Sequence, residues 1–251
     1  MPDSSAVFFS ALDGRIDRYD LLQHPFYRAW SKGELTREDL REYAAEYWHH
    51  VSAFPAYLSA LHTRLPDGEL RRVVLGNLAD EEGMHDGRPH SDLWMDFAKG
   101  MGAEEADVRG RRIGPQTREL VKHFRAAMQG APAAALAALY AYESRVPAIA
   151  KTKAEGLERY YGADDAARRY FTVHRTADVH HAQVWRKALA AELAVHPEET
   201  EAALAAGEDA ARALWAALDG VSERDRRGWL PRPETADRLA SVATADTRAF
   251  L

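Results

Sequence analysis

Cysteine is absent from this chain of 251 residues. That absence removes disulfides, thiolate zinc sites, iron–sulfur clusters and any cysteine nucleophile. A surplus of positive charge is also missing. The 33 Lys and Arg stand against 39 Asp and Glu, a formal net charge of −6, which disfavours a general binder of nucleic acid or anionic membrane. Long apolar runs are lacking too. The longest, over residues 131–141, is about half of the roughly 20 residues that a membrane span needs. The opening MPDSSAVFFSALDG has no basic residue ahead of its short apolar patch, unlike a secretory leader. The expectation is a cytoplasmic protein without nucleic-acid or membrane partners.

What is present is the balance of an ordinary globular protein, with 46% hydrophobic and 29% charged residues, so disorder is excluded as the main state. The patterning is helical nearly throughout. From Thr36 the chain opens a helix with Thr36 and Asp39 in capping-box spacing. Leu40, Tyr43, Tyr47, Val51, Phe54, Leu58 and Leu61 then recur at three and four. Pro55 should kink this helix rather than end it, because the pattern carries through. Further helices are predicted near residues 14–31, 67–85, 91–101, 115–129, 133–161, 164–194 and 199–218, with a second kink at Pro147. No alternating strand, repeat or low-complexity linker is evident. The prediction is an all-α, single compact helical bundle over residues 1–220, with a partly irregular tail, 221–251, anchored through Trp229 and Leu230.

Several polar groups lie where apolar ones belong. In YFTVHRTADVHHAQVW, His174, Asp178 and His181 stand at i, i+4 and i+7, rotations of 0°, about 40° and about −20° on a helix. Tyr170 precedes them on the same stripe, and Val184, Trp185 and Leu189 flank or continue it. A lone histidine there reads as a packed core residue. Two imidazoles and a carboxylate on one inward stripe read instead as half of a metal cage, since unpaired groups are costly to bury.

The remaining donors must come from other helices. Glu143 lies in ALYAYESRVPAIAKTK among Leu139, Val146 and Ile149; as a plain surface acid it would pair with Arg145 or Lys151. NLADEEGMHDGRPHSDLW supplies more candidates, unless it is a charge-rich loop without chemistry. Glu82 and His85 make an E-x-x-H pair, a spacing used by di-iron four-helix bundles, but those bundles carry the motif twice and no second copy occurs here. The other choice takes Glu81 with His90, and spacing leaves the two open. With the second choice the set is three carboxylates (Glu81, Glu143, Asp178) and three imidazoles (His90, His174, His181). Six nitrogen and oxygen ligands exceed a closed tetrahedral zinc site and suit two metals with open positions.

Four segments in this order, YWHHVSAFPAYLSALHTR, NLADEEG with HSDLW, ALYAYESRVPAIAKTK and YFTVHRTADVHHAQVW, resemble the heme-oxygenase-like di-metal oxidases over about residues 15–195. Within them the chain is similar to the branch of the Chlamydia protein associating with death domains. Pyrroloquinoline-quinone synthase and thiaminase II-type proteins are remoter relatives. The resemblance implies a heme-oxygenase-like bundle. It favours His90, which opens an H-x-[DE]-L-W element, and Glu81, the first acid after Asp80, with Glu82 and His85 in reserve. The loop between acid and histidine is longer here than in the family.

The resemblance also implies an activity. Members of the branch make para-aminobenzoate for folate from one of their own tyrosines, with a lysine implicated as the amino donor. Similarity assigns these roles to Tyr27, in QHPFYRAW, and Lys153, and matches Tyr170 to a tyrosine near the metals. By spacing alone Tyr27 is a core residue and Lys153 a surface one. The implied cofactors are two non-heme metal ions, Fe/Fe or Mn/Fe, with O2 and an external electron donor as reactants, acting once per chain; a homodimer is implied too. Two alternatives stand beside this reading: a di-metal oxidase acting on an external amine or acid by N-oxygenation, desaturation or C–C cleavage, and a non-enzymatic interaction bundle. The thiaminase-type hydrolase is excluded, because its cysteine nucleophile is missing. The other eight histidines are assigned to packing and surface.

Overall fold

The computed structural model describes residues 4–84 and 87–225. Helices account for its regular structure: α1 (Ser4–Ile16), α2 (Pro25–Lys32), α3 (Arg37–Arg64), α4 (Glu69–Glu81), α5 (His90–Gly100), α6 (Glu105–Gly110), α7 (Pro115–Ala127), α8 (Pro132–Glu143), α9 (Val146–Tyr160), α10 (Asp165–Val195) and α11 (Thr200–Asp225), with short 3-10 turns between some of them. No strand occurs among the described residues. The all-α bundle expected from the periodicity is the fold observed. No helix of the described residues is long and apolar enough to cross a membrane.

The long central helix α3 starts as its sequence dictates. The Thr36 side chain accepts from Asp39 N, and the Asp39 carboxylate accepts from Thr36 N at 2.6 Å, a reciprocal cap of about 1 kcal/mol. The helix runs through Pro55 and buries Leu40, Tyr43, Tyr47, Val51, Phe54, Leu58 and Leu61. Around it pack α4, α5 and α7, while α10 lies against α5, α8 and α9, and α11 covers α7 and α8. The three fully buried tryptophans Trp30, Trp94 and Trp185 fill the space between these layers.

Three expectations are corrected. The helix predicted over 14–31 is two helices separated by 3-10 turns at Asp17–Tyr19 and Leu21–Gln23. Pro25 supplies the first helical residue of α2, and His24 Nδ1 caps it by accepting from Phe26 N at 3.1 Å. The single kinked helix over 133–161 is α8 followed by α9, since a Pro147 ring inside one helix would collide with the Glu143 carbonyl four residues back. Finally, α11 passes through Gly220 to Asp225; a Cβ at Gly220 would stand 2.7 Å from Gln116 Cβ, so the missing side chain permits close packing on α7. Trp229 and Leu230 lie outside the described residues, as does the rest of the expected tail beyond Asp225. Helices α1 and α6 were not anticipated; α6 is six residues long, too short for periodicity to register.

Helix α9 meets α2 at its closest point. A Cβ on Gly156 would lie 2.7 Å from Trp30 Cδ1, and Trp30 Nε1 donates to the Lys153 carbonyl at 3.3 Å. Gly156→Ala is therefore expected to destabilise the protein by about 1–3 kcal/mol through overpacking, read as a lower urea midpoint with an unchanged m-value.

Candidate metal centre and tyrosine–lysine cluster

Helix α4 ends in a way that selects Glu81. Gly83, at φ +71°, takes the left-handed conformation just past the helix. Met84 N donates to Ala79 O at 2.8 Å and Gly83 N to Asp80 O at 3.0 Å, the paired bonds of a Schellman stop. Glu81 is buried at the last helical position, whereas Glu82 is exposed. A Cβ on Gly83 would lie 2.2 Å from the Arg88 carbonyl carbon, so the chain folds back tightly there before α5 begins at His90. His90 Nδ1 lies 3.1 Å from Glu81 Oε2. Of the reserve pair, Glu82 is thus directed to the surface, and His85 lies outside the described residues.

All six residues of the preferred set are buried, each with 5% exposure or less. They form two groups, Glu81 with His90 and His174, and Glu143 with Asp178 and His181, with the candidate ligand atoms of each group within 4.8 Å of one another. The His90 and His174 rings are 4.4 Å apart. His174 Nδ1 lies 2.7 Å from the Tyr170 carbonyl; donation there leaves Nε2 as the ligand atom. His181 Nε2 lies 3.0 Å from Asp80 Oδ2, while its Nδ1 lies 3.2 Å from Asp178 Oδ1 and 3.5 Å from Glu143 Oε2. Trp185 Nε1 donates to Glu143 Oε2 at 2.7 Å, and Asn77 Nδ2 to the same carboxylate at 3.3 Å. A cavity of about 10 Å³ bounded by Glu81, Glu143, His174 and Asp178, with Val51 and Phe54 on its apolar side, lies between the groups; it has room for about one water-sized molecule.

The electrostatics fit bound cations. Burial pushes the Glu143 carboxyl well above the usual range; His181 opposes this, and the Asp178 and Glu81 charges add to it. Burial would lower His181, but Asp178, Glu143 and Asp80 outweigh it and raise its pKa to about 10. Burial likewise opposes ionisation of Glu81, yet His90, His174 and His181 hold its pKa below the ordinary value. Three acids this close in an apolar interior need positive charge. A buried acid elsewhere has its own partners: Glu46 accepts from Gly114 N at 2.7 Å and from Arg111 Nε at 3.2 Å. The six-residue donor set, all oxygen and imidazole nitrogen, suits iron or manganese.

A second cluster adjoins the first. Lys153 is buried on α9, and its Nζ donates to Tyr43 OH at 2.5 Å. Tyr43 OH lies 3.1 Å from Tyr27 OH. Lys153 Nζ stands 4.5 Å from the Tyr27 ring centre and 4.7 Å from that of Tyr43, with Trp30, Trp94 and Phe171 completing an aromatic box. Burial alone pushes the Lys153 pKa well below its normal value and raises that of Tyr27. Phenols lie between the clusters. Tyr170 stacks on His174 at 4.0 Å and lines the small cavity with Tyr142, and Tyr47 stacks on Tyr43 at 5.5 Å.

Sequence reasoning brought forward the six donors, Tyr27, Lys153 and Tyr170, but not Asn77, Asp80 or the linking role of Tyr43 and Tyr142. Asn77 sits four residues before Glu81 on the same face, the one signal that pointed to it. Of the other histidines, His24 lies 3.1 Å from Asp219 and serves as a cap, and buried His50, its pKa lowered to about 3 by burial, belongs to neither group.

A helical bundle with two buried carboxylate–imidazole groups has the donors of a two-metal protein. Residues 41–216 match the family described as iron-containing redox enzyme, and the chain belongs to it. It is 43% identical over 245 residues to the 4-aminobenzoate synthase of Nitrosomonas europaea, across 93% of this chain and 98% of that protein. It is 40% identical over 224 residues to the 4-aminobenzoate synthase of Chlamydia muridarum, across 87% and 92%. A solved domain with a heme oxygenase-like fold from Shewanella denitrificans superposes with a TM-score of 0.76 at 17% identity, covering 92% of this chain and 97% of that one; this likeness concerns the fold.

Two checks follow from the geometry. Anaerobic titration with Fe(II) or Mn(II) is expected to give two ions per chain, falling to one or none in Glu81→Ala and in Asp178→Ala. Lys153 gives a pH signature. Because its pKa is depressed on folding, the unfolded chain binds the extra proton below about pH 10.4, and this penalty fades as pH rises toward that value. Lys153→Met is therefore expected to be more stable than the parent at pH 7, by at least about 1 kcal/mol, with the gap narrowing toward pH 10 in chemical denaturation.

Proposed function

We propose that this chain is a self-sacrificing 4-aminobenzoate synthase that converts its own Tyr27, with Lys153 as nitrogen donor, once per chain. The observation that carries the reading is the buried Lys153 amine bridged by Tyr43 to the Tyr27 hydroxyl, within a chain 43% identical to a protein of that activity. The product is a ring with one carboxyl carbon para to nitrogen. Tyrosine already carries its Cβ para to oxygen. Condensation of the lysine amine with the oxidised ring would expel the ring oxygen as water. Hydrolysis of the resulting imine at Cε would break the Lys153 Cε–Nζ bond and leave an aldehyde on that side chain. Breaking the Cα–Cβ bond would leave a glycyl Cα at position 27, and oxidising Cβ would give the carboxyl. O2 is the oxidant, and an external reductant supplies the remaining electrons.

Glu81, His90 and His174 would hold one metal, and Glu143, Asp178 and His181 the other, as an Fe/Fe or Mn/Fe pair. When bound, the pair supplies the oxidising power that O2 alone lacks kinetically. The protein's own groups do the rest. Asp80, Asn77, Trp185 and the Tyr170 carbonyl orient the ligands. Tyr170, Tyr142, Tyr47 and Tyr43 lie between the metal ligands and Tyr27 and can carry an electron between them. Tyr43 OH is placed to take the Tyr27 proton or pass it to Lys153 Nζ. The aromatic box excludes water, which favours the unprotonated amine and keeps a reactive ring from being quenched.

Aerobic incubation of purified protein with Fe(II), with and without Mn(II), and a reductant is expected to yield at most one 4-aminobenzoate per chain. Intact-protein mass spectrometry should report loss of the Tyr27 side chain in step. Tyr27→Phe should abolish product, and Tyr43→Phe should slow its formation roughly 100-fold through loss of the proton-holding hydroxyl. Undiminished yield from Tyr27→Phe, or repeated turnover on an added amine or acid with Tyr27 dispensable, overturns the proposal in favour of an oxidase with an external substrate.

A further inference from the structure

A cavity of about 30 Å³ starts at Tyr27 and Lys153 and extends to Tyr19, Leu21 and Arg145 near the surface. Its walls are largely apolar, and it is lined by two basic residues. Lys153 is enclosed by aromatic rings with its Nζ already donating to Tyr43 OH, so it lies at the closed end of the cavity and not at its mouth. Arg145, at the break between α8 and α9, keeps its charge. Its Nη2 is held by Asp17 Oδ1 at 2.8 Å and Asp13 Oδ1 at 3.4 Å, with the side chain 31% exposed. Its Nε is buried and has no hydrogen-bond partner among the described residues. With Nη2 held by the two aspartates and Nε unfilled, the guanidinium offers one charge-assisted donor to a carboxylate, and the full Nε–Nη2 fork once the aspartates let go. Asp13 can release it at little cost, because it also accepts from Tyr140 OH at 3.0 Å and lies 3.8 Å from Arg186 Nη1.

The geometry points to Arg145 as the anchor for the carboxylate of a one-ring aromatic acid in this cavity, its far end toward Lys153, and to the Arg145 pairs with Asp13 and Asp17 as the latch that opens for its departure. The inference deepens the proposed function, since the ligand is the acid that reading produces. Size supports the order of events. A cavity of 30 Å³ holds about two waters, so the acid has room only after the Tyr27 ring has left its place. The site is therefore created by the reaction and serves to hold and release its product.

The test is a binding titration on metal-free protein, which requires no turnover. In Tyr27→Ala, isothermal calorimetry with 4-aminobenzoate and with its neutral counterpart 4-aminobenzamide is expected to give tighter binding of the acid by about 10-fold or more, the range of a charge-assisted hydrogen bond. The chain with Tyr27 intact should bind neither. Adding Arg145→Gln to Tyr27→Ala should bring the acid down to the level of the amide, while Arg145→Lys should keep part of the preference. Equal binding of acid and amide by Tyr27→Ala, no binding of the acid at all, or an unchanged preference in the Arg145→Gln double variant overturns the inference. The first comparison uses unmodified Arg145, so it stands even if that double variant fails to fold. Failure of the unaltered protein to form 4-aminobenzoate would instead remove the parent reading and leave this measurement intact.

Discussion

Three carboxylates and three imidazoles share a few ångströms of apolar interior, and the rest of the molecule is arranged around the cost of holding them there. Each carboxylate would shed its charge if left alone in such a place. The protein answers with partial measures: histidines beside Glu81, Asp80 against the far nitrogen of His181, and an indole and an amide on Glu143. These orient the groups without neutralising all three acids, as the upward shift of Glu143 shows. Divalent cations bound there would complete the balance. The helices that supply ligands end or begin at the site: α4 stops at Glu81, α5 starts at His90 and α8 stops at Glu143. Only α10 runs straight through, and its three donors are spaced by whole turns.

The neighbouring cluster solves the opposite problem. Lys153 is set among rings, with the Tyr43 phenol as its hydrogen-bond partner, and burial there pushes its pKa well down. In a structural role this would be a poor choice, since a methionine of similar length would pack without the penalty. A buried amine with a lowered pKa is a nucleophile held ready. Tyr43 touches both that amine and Tyr27, and the phenol series ending at Tyr170 reaches the imidazole of His174. Two environments with opposite charge requirements thus stay separate while a series of tyrosine rings lies between them.

The sequence reveals most clearly what repeats within one unbroken helix. His174, Asp178 and His181 could be assigned to one stripe because α10 has no break between them, and the capping box at Thr36 was legible because it is local. Glu81 against Glu82 was not, since adjacent residues on a helix differ by about 100° and the choice depends on which face α4 turns inward. Tyr27 and Lys153 were found by resemblance alone; their contact spans more than a hundred residues, and nothing in a lysine's neighbours in sequence reveals an aromatic box built from α2, α3, α5 and α10. Asp80 and Tyr142 were missed for the same reason, being partners across helices.

The break between α8 and α9 shows how much one covalent constraint can organise. Pro147 is the second residue of α9; it has no N–H for the Glu143 carbonyl and its ring crowds that oxygen, and here, unlike at Pro55, the helix ends, α8 stopping at Glu143. Had the helix run on, Glu143 and Lys153 would be ten residues apart on one straight axis, a separation of about 15 Å along it, with their faces fixed by the helical repeat. The interruption at Ser144 and Arg145 frees the direction of α9 from that of α8. Glu143 is thereby left facing the carboxylate–imidazole groups, Lys153 is turned into the box with Tyr27, and Arg145, belonging fully to neither helix, is placed at the mouth of the cavity between them. Metal ligand, amine and carboxylate anchor are thus set relative to one another by a single proline, and a residue there that allowed the helix to continue would disturb all three together rather than any one alone.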